Sequence, residues 1–274
     1  MMGRYTKYTA WRELGMIVVT ILFFFPVYIL INVALKHPND PSSVLTPVTN
    51  PTVDNVVAAV QQGNLIAALG NSIVITFSSV IVLIAISSFA AYPLARVGRR
   101  WSKATFGVIM VGLLLPMQLA LVPLFQTLAE LGLLGTRLSL IIYFGGHQVP
   151  FATFLYVVFL RKISIEYEEA AQVDGAGPFR TFLWVVFPLL RPITGTVAIL
   201  NAIVIWNDFL TPLLYLSGSG NETAPVALYQ FVGQYVSRWN VVFAGLLITT
   251  TPLLVVYFFL QRRIIQGFAG GLKG

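Results

Sequence analysis

Long apolar runs separated by short polar islands set the plan of this chain. Six runs are long enough to meet the ~20 residues that a helix needs to cross a bilayer. They lie at roughly Leu14–Leu35, Asn71–Leu94, Thr105–Leu128, Leu138–Leu160, Val185–Leu214 and Val241–Leu260. The pattern predicts an all-α polytopic membrane protein with six transmembrane helices, in which residues 1–13 precede the bundle, 14–265 form it and 266–274 are a tail. The first run is too long for a signal-peptide core, and Lys36-His37-Pro38-Asn39-Asp40 follows it in place of a small-residue cleavage site. It is expected to stay as a helix.

One polar island differs from the others. Between the fourth and fifth runs, within a loop spanning 161–188, the chain reads E-A-A-Q-V-D-G-A-G-P-F from Glu169 to Phe179 and continues to Pro188 and Pro192. Glu, Ala and Gln are good helix formers, so Ile165 to Val173 is predicted helical. Asp174-Gly175 then makes a turn, and Pro178 suits the first position of a second helix running on through Phe179, Phe182 and Val186. The product is a helix–turn–helix across the mouth of the bundle. Glu169 and Val173 share a face of its first helix, while Ala170, Ala171 and Ala176 leave little side-chain bulk between backbone and anything docked on it.

Composition agrees with the periodicity: 57% of residues are hydrophobic and 10% charged, with a mean hydropathy of +0.82, well beyond what a soluble core requires. The net charge of +7 could suggest nucleic acid, but the basic residues sit in short clusters beside apolar runs. The partner they imply is a lipid membrane and no nucleic acid. One set of connections and termini carries Arg4, Lys7, Arg12, Arg96, Arg99, Arg100, Lys103, Arg161, Lys162, Arg180, Arg191, Arg262, Arg263 and Lys273, while the other carries Lys36, Arg137 and Arg238. Because positive residues stay cytoplasmic, both termini and the Glu169 island are expected on the cytoplasmic side. The loops Lys36–Gly70 and Ser217–Asn240 then face outward. The first of these reads equally well as a partner contact or a plain linker.

Few polar residues lie inside the apolar runs. Asp208 is the one acid well within them, and ionisable groups there usually face a pore or a partner. For Asn207 and Asp208, substrate contact and helix–helix hydrogen bonding both fit. Gln118, between Pro116 and Pro123, interrupts the third crossing; His147 and Gln148, between Gly145-Gly146 and Pro150, interrupt the fourth in the same way. With Asn201 these form the candidate substrate pathway. A lone intramembrane histidine with no cysteine in the chain is a poor metal ligand. The sequence holds no phosphate loop and no H-E-x-x-H zinc motif, and no nucleophile paired with a base is apparent, so catalysis is not expected.

The Glu169 island resembles the signature of the permease subunits of binding-protein-dependent ABC importers, which runs E-A-A, three residues, G, about nine residues and I-x-x-P. Here it stands as Glu169-Ala170-Ala171, Asp174-Gly175-Ala176, then Val185 in place of isoleucine, and Pro188. Trp206-Asn207-Asp208-Phe209 and the ending Phe268-Ala269-Gly270-Gly271-Leu272-Lys273-Gly274 look like the carbohydrate-uptake branch, similar to the six-helix subunit of the maltose permease. The resemblance implies a second permease subunit, two copies of a cytoplasmic ATP-binding subunit and an extracytoplasmic solute-binding protein. ATP and Mg would then sit on the ATPase partners, with no cofactor in this chain. It also implies that Glu169, Ala170, Ala171, Asp174, Gly175, Ala176 and Pro188 couple to the ATPase, with the tail from Gln266 to Gly274 either joining that interface or fraying. The rival reading, a secondary transporter driven by an ion gradient, would call for internal repeats and several buried charges. No convincing repeat is apparent.

Overall fold

The computed structural model describes residues 7–38, 40, 42–62, 64–114, 116–235 and 238–272, with the side chains of 7, 117, 118, 230–235 and 259–272 outside that description. Helices supply all the regular structure among these residues. In order they are α1 (Lys7–Ala34), α2 (Asp54–Gln62), α3 (Leu65–Arg96), α4 (Arg100–Val111), α5 (Met117–Glu130), α6 (Arg137–His147) and α7 (Val149–Leu160). There follow α8 (Glu166–Val173), α9 (Pro178–Thr181), a π-helical turn at Phe182–Val186, α10 (Phe187–Leu189), α11 (Arg191–Asn207), α12 (Leu210–Leu216), α13 (Ala224–Tyr235) and α14 (Trp239–Leu272).

Three helical stretches among the described residues are long and apolar enough to cross a membrane: Tyr8–Ala34, Leu65–Arg96 and Trp239–Phe258. The total rises to five if each of two bent pairs is one crossing. The first pair, Arg137–His147 with Val149–Leu160, bends by 43° at Gln148. Gly145-Gly146 and Pro150 bracket this bend, as the sequence leads one to expect. The second, Pro178–Leu189 with Arg191–Asn207, turns by 74° at Leu190, between Pro188 and Pro192.

The third apolar run, read as Thr105–Leu128, is two helices in the structure. α4 stops at Val111 and α5 starts at Met117 behind Pro116. A residue preceding proline is pushed out of the α region, which ends the first helix before Pro116. Gly112 at the break lies so close to Pro150 that a Cβ there would stand 3.0 Å from the ring Cγ, so any side chain at this position would have to push the proline aside. The fifth run also differs from its reading as Val185–Leu214: α11 begins at Arg191, ends at Asn207, and gives way to extended backbone at Asp208 before α12. At the C-terminal end, α14 runs unbroken to Leu272, inside the region read as a separate tail.

The chain divides into two compact units, Met1–Ile66 with Ala227–Thr251, and Ala67–Val226 with Pro252–Gly274. In the first, the stretch between α1 and α2 is an ordered cap built on amide side chains. Asn32 Nδ2 donates to the carbonyls of Val44 and Thr46, and its Oδ1 accepts from the Val48 amide. Asn55 Nδ2 donates to the carbonyls of Ala34 and Lys36, and Lys36 Nζ donates to Ser42 Oγ at 2.7 Å. By contrast, the spanning window of α1 buries none of its residues, leaving Leu22, Phe23 and Phe24 outward.

The second unit holds two apolar clusters. One joins Leu83, Ala91 and Leu94 of α3 with Tyr156, Val157 and Leu160 of α7, and with Phe182, Val186, Leu190 and Val197 of the segment after the polar island. The other joins Ile75 and Val80 of α3 with Leu121, Leu128, Leu140, Tyr143, Phe144, Ile205 and Tyr215. Burying a side chain of this size is worth roughly 1.5–3 kcal/mol each when the alternative is water. In lipid, shape-fitting and hydrogen bonding take over that role.

Candidate functional site

The polar island folds as a tight elbow, and its shape follows from consecutive residues. α8 opens with Glu166, Glu168 and Glu169 in its first turn, where carboxylates complement the positive end of the helix dipole. Ser164 Oγ accepts the Glu166 amide at 3.3 Å. At the other end Gly175 has φ +83°, its amide donates to the Gln172 carbonyl at 3.0 Å, and the Ala176 amide reaches the Ala171 carbonyl at 2.9 Å. This is the paired-bond helix stop that places a left-handed residue just after the cap, a conformation glycine adopts freely. Gly177 then precedes Pro178, the first residue of α9, and accepts the Thr181 amide at 2.9 Å.

The outer surface of the elbow is unusual for a polar loop. Val173 is 87% exposed and Trp184 76%, and Phe179 is exposed beside them. Ala171, Asp174, Ala176, Arg180, Trp184 and Val185 line an open cleft of about 310 Å³. Of the residues singled out from sequence, Glu169, Ala170, Asp174 and Gly175 are exposed, Ala171 and Ala176 form the cleft wall, and Pro188 is half-buried in the short α10. Apolar groups beside small ones, rimmed by charge, make a surface suited to receiving a partner.

The inner side of the elbow was not anticipated. Glu168, one residue before the E-A-A triplet, is 4% exposed. Its Oε1 accepts from Arg96 Nε at 2.7 Å and its Oε2 accepts from the Tyr92 hydroxyl at 3.0 Å. Arg96 Nη2 also donates to the Ile163 carbonyl at 3.0 Å. The sequence signal is faint: adjacent residues of a helix point ~100° apart, so Glu168 and Glu169 present different faces, and Tyr92 and Arg96 are one helical turn apart.

A second set of polar groups gathers where the helices are interrupted. Asp208, in extended backbone after α11, accepts the Thr211 amide on Oδ1 at 3.4 Å, while its Oδ2 is buried without a hydrogen-bond partner. Its carboxylate lies close enough to act electrostatically on both His147 and Tyr143. The Tyr143 ring stands edge-on to His147, with centroids 5.5 Å apart, and to Tyr215, with centroids 5.6 Å apart. The structure therefore sets His147 against Tyr143 and, through Thr211, places Asp208 at the same cluster with Tyr215, residues whose positions in long apolar runs did not advertise them. The buried Tyr143 hydroxyl faces the Thr211 side chain, close enough for a hydrogen bond between them.

The other pathway candidates stand differently. Asn201 is buried and donates to the Val197 carbonyl of its own helix at 2.8 Å, leaving its Oδ1 unpartnered. Asn207 is exposed and bonds the Ile203 carbonyl of its own helix at 2.8 Å. Gln148 is half-buried at the bend between α6 and α7. Gln118 lies in the first turn of α5, with its side chain outside the described residues.

Comparison with known proteins gives a consistent result. The sequence model of the binding-protein-dependent transport system inner membrane component matches residues 83–270, more than half of the chain. The chain is 32% identical over 256 residues to the probable starch degradation products transport system permease protein AmyC of Thermoanaerobacterium thermosulfurigenes, covering 93% of each. It is 33% identical over 259 residues to the melibiose/raffinose/stachyose import permease protein MelC of Bacillus subtilis, covering 94% of each. Its fold matches a chain from the crystal structure of a bacterial ABC transporter involved in the import of the acidic polysaccharide alginate, with a TM-score of 0.80 at 20% identity, over 95% of this chain and 99% of that one.

Proposed function

We propose, from the premise that this chain belongs to the binding-protein-dependent transport system inner membrane component family, that it forms half of a translocation pathway for a sugar or sugar-like solute and docks a cytoplasmic ATPase through its elbow. The family makes the chain a multi-pass membrane permease subunit of an ABC importer, a transport protein and not an enzyme. Relatives named for starch degradation products and for melibiose, raffinose and stachyose support a carbohydrate as the solute. The assembly contains a second permease subunit, two copies of the ATPase carrying ATP and Mg, and a solute-binding protein outside. Both termini and the elbow face the cytoplasm, and α4 with α5 together supply one of six crossings.

The observation that carries the docking assignment is the outer surface of the elbow, where Val173, Phe179 and Trp184 stand exposed around a cleft walled by Ala171 and Ala176. A partner helix or loop seated there would bury apolar area that water now covers, and Glu169 and Asp174 at the rim would orient it by charge. When the ATPase closes on ATP, the elbow moves as a rigid body and the bundle exchanges inward-open for outward-open states, each favoured by different ligands. Within the bundle, His147, Gln148, Asn201, Asn207, Asp208 and Gln118 supply polar groups for a hydroxyl-rich solute, with Tyr143 and Tyr215 adding aromatic faces.

The test is reconstitution. The chain with its second permease, its ATPase and its binding protein in liposomes is expected to take up sugar only with ATP inside and binding protein outside. Uptake by the lone chain under an ion gradient, with no ATP, would contradict the reading and favour a secondary carrier.

A further inference from the structure

The inner side of the elbow carries a device separate from the outward docking surface. α8 is pinned to the end of α3 by the Glu168–Arg96 ion pair at 2.7 Å, with side-chain exposures of 5% and 14%. The Tyr92 hydroxyl bonds the second carboxylate oxygen and Arg96 also holds the Ile163 carbonyl, so a single charged cluster fixes both α8 and the strand of chain that leads into it. The limb beyond the turn is attached to the same helix by stacking. Phe182 lies 5.0 Å from Phe89 and 5.5 Å from Tyr92, and Phe179 lies 5.9 Å from Phe89, all centroid to centroid. Both limbs of the elbow thus grip about two turns of α3, between Phe89 and Arg96.

The covalent route onward from the elbow is a weaker lever. Between Pro178–Leu189 and α11 the chain bends by 74°, and a π-helical turn at Phe182–Val186 precedes the bend. Bends and π-turns are where helices deform, so a push on α9 need not reach α11 as a rigid displacement. A buried, charge-assisted pair with satisfied hydrogen bonds is stiff, because separating it leaves a carboxylate or a guanidinium unpaired in a poorly solvated place.

We infer that Glu168, Arg96 and Tyr92 form a clamp through which movement of the elbow is delivered to α3, making α3 the driven element of the permease. These are positioning residues, and the inference rests on the reading of the elbow as the ATPase dock. In that role Glu168 faces α3 while Glu169, its neighbour, faces the ATPase: one residue transmits and the next receives.

The clamp separates from a general folding role by its readouts. Because the chain contains no cysteine, spin labels can be placed at Tyr167→Cys on α8 and Gly98→Cys just past α3. In the reconstituted assembly, the distance between them should stay constant between nucleotide-free and ATP-trapped states. Glu168→Gln should make that distance broaden or change with nucleotide, retain ATPase co-purification, and lower sugar taken up per ATP hydrolysed by at least severalfold. Tyr92→Phe, which removes one hydroxyl and leaves packing intact, should do the same to a smaller degree. Arg96→Glu combined with Glu168→Arg should recover part of the uptake lost in either single variant. Wild-type uptake per ATP in both Glu168→Gln and Tyr92→Phe, or a label distance that already changes with nucleotide in the unaltered chain, would overturn the clamp and leave the docking assignment standing. Failure of the unaltered chain to bind the ATPase would overturn both.

Discussion

The elbow and the break at Asp208 are both places where an apolar chain stops being a regular helix, and they are built in opposite ways. The elbow is specified by neighbours in sequence: acids in the first turn of α8, Gly175 in the left-handed region, Pro178 opening α9. Its local bonds span at most five residues, as from the Ala176 amide to the Ala171 carbonyl. The Asp208 break keeps one local bond, to the Thr211 amide, and otherwise looks across space to Tyr143 and His147 of α6, which feel its charge. The elbow can therefore move as a unit, whereas the Asp208 cluster changes whenever α6 and α11 shift against each other. A coupling device needs the first property, and a solute pathway that opens and closes needs the second.

The contrast can be broken most forcefully at Gly175. No atom lies within 4 Å of a Cβ built there, so the cost that Gly175→Leu carries from its first side-chain atom is the left-handed backbone, about 1–2 kcal/mol. That strain falls on the turn fixing the angle between α8 and α9. ATP-driven uptake should fall by at least about tenfold, the equivalent of 1.4 kcal/mol, with membrane insertion unchanged. Gly175→Asn, which tolerates the same φ, should lose much less. Equal loss in both would show that space, and not backbone conformation, is what matters.

Next in size is Glu169→Lys. Reversing an exposed charge in the first turn of α8 should lower helix stability by roughly 0.3–1 kcal/mol, yet it should largely release the ATPase in co-purification. An unchanged yield of ATPase would move the docking contact away from this residue. Smaller again is Asp208→Leu, which removes the acceptor for the Thr211 amide at a cost of about 0.5–2 kcal/mol, by analogy with losing a helix cap. Sugar uptake should fall while ATPase association stays at the wild-type level; a fall in association would mean that the two regions are not separable. The smallest change is Tyr143→Phe. Its hydroxyl is buried beside the Thr211 side chain, so thermal stability should fall by no more than about 0.5–1.5 kcal/mol, the net worth of one hydrogen bond, and a loss of uptake out of proportion to that would report contact with the solute.

What could be read from sequence follows the same division. The first helix of the elbow, expected over Ile165–Val173, is Glu166–Val173, and Pro178 opens the second helix as expected. Turn chemistry acts over a few residues and leaves its mark in composition. The bend at Gln148 was legible for the same reason. The inward turn of Glu168 was not, because helical period leaves room for two adjacent glutamates on one solvent-facing arc, and Arg96 reads as a topology charge until its partner is seen. The gathering of Tyr143, Tyr215 and Thr211 around Asp208 depends on packing across α6, α11 and α12, and the ordered cap between α1 and α2 depends on Asn32 and Asn55 reaching backbone across the loop. A hydropathy profile carries neither signal. The third run was read as interrupted between Pro116 and Pro123, at Gln118; the interruption stands ahead of Pro116, after α4 ends at Val111, and Gln118 falls in the first turn of α5.

Site-directed cross-linking tests the central claim most directly. In this cysteine-free chain, single substitutions Glu169→Cys and Ala171→Cys on the elbow, and Phe23→Cys on the exposed face of α1, can be compared in the assembled transporter with a short bifunctional reagent. The account predicts adducts to the ATPase from the two elbow positions, altered in yield by ATP, and none from Phe23. Elbow cysteines that react freely with a water-soluble label in the full assembly, and never join the ATPase, would contradict it.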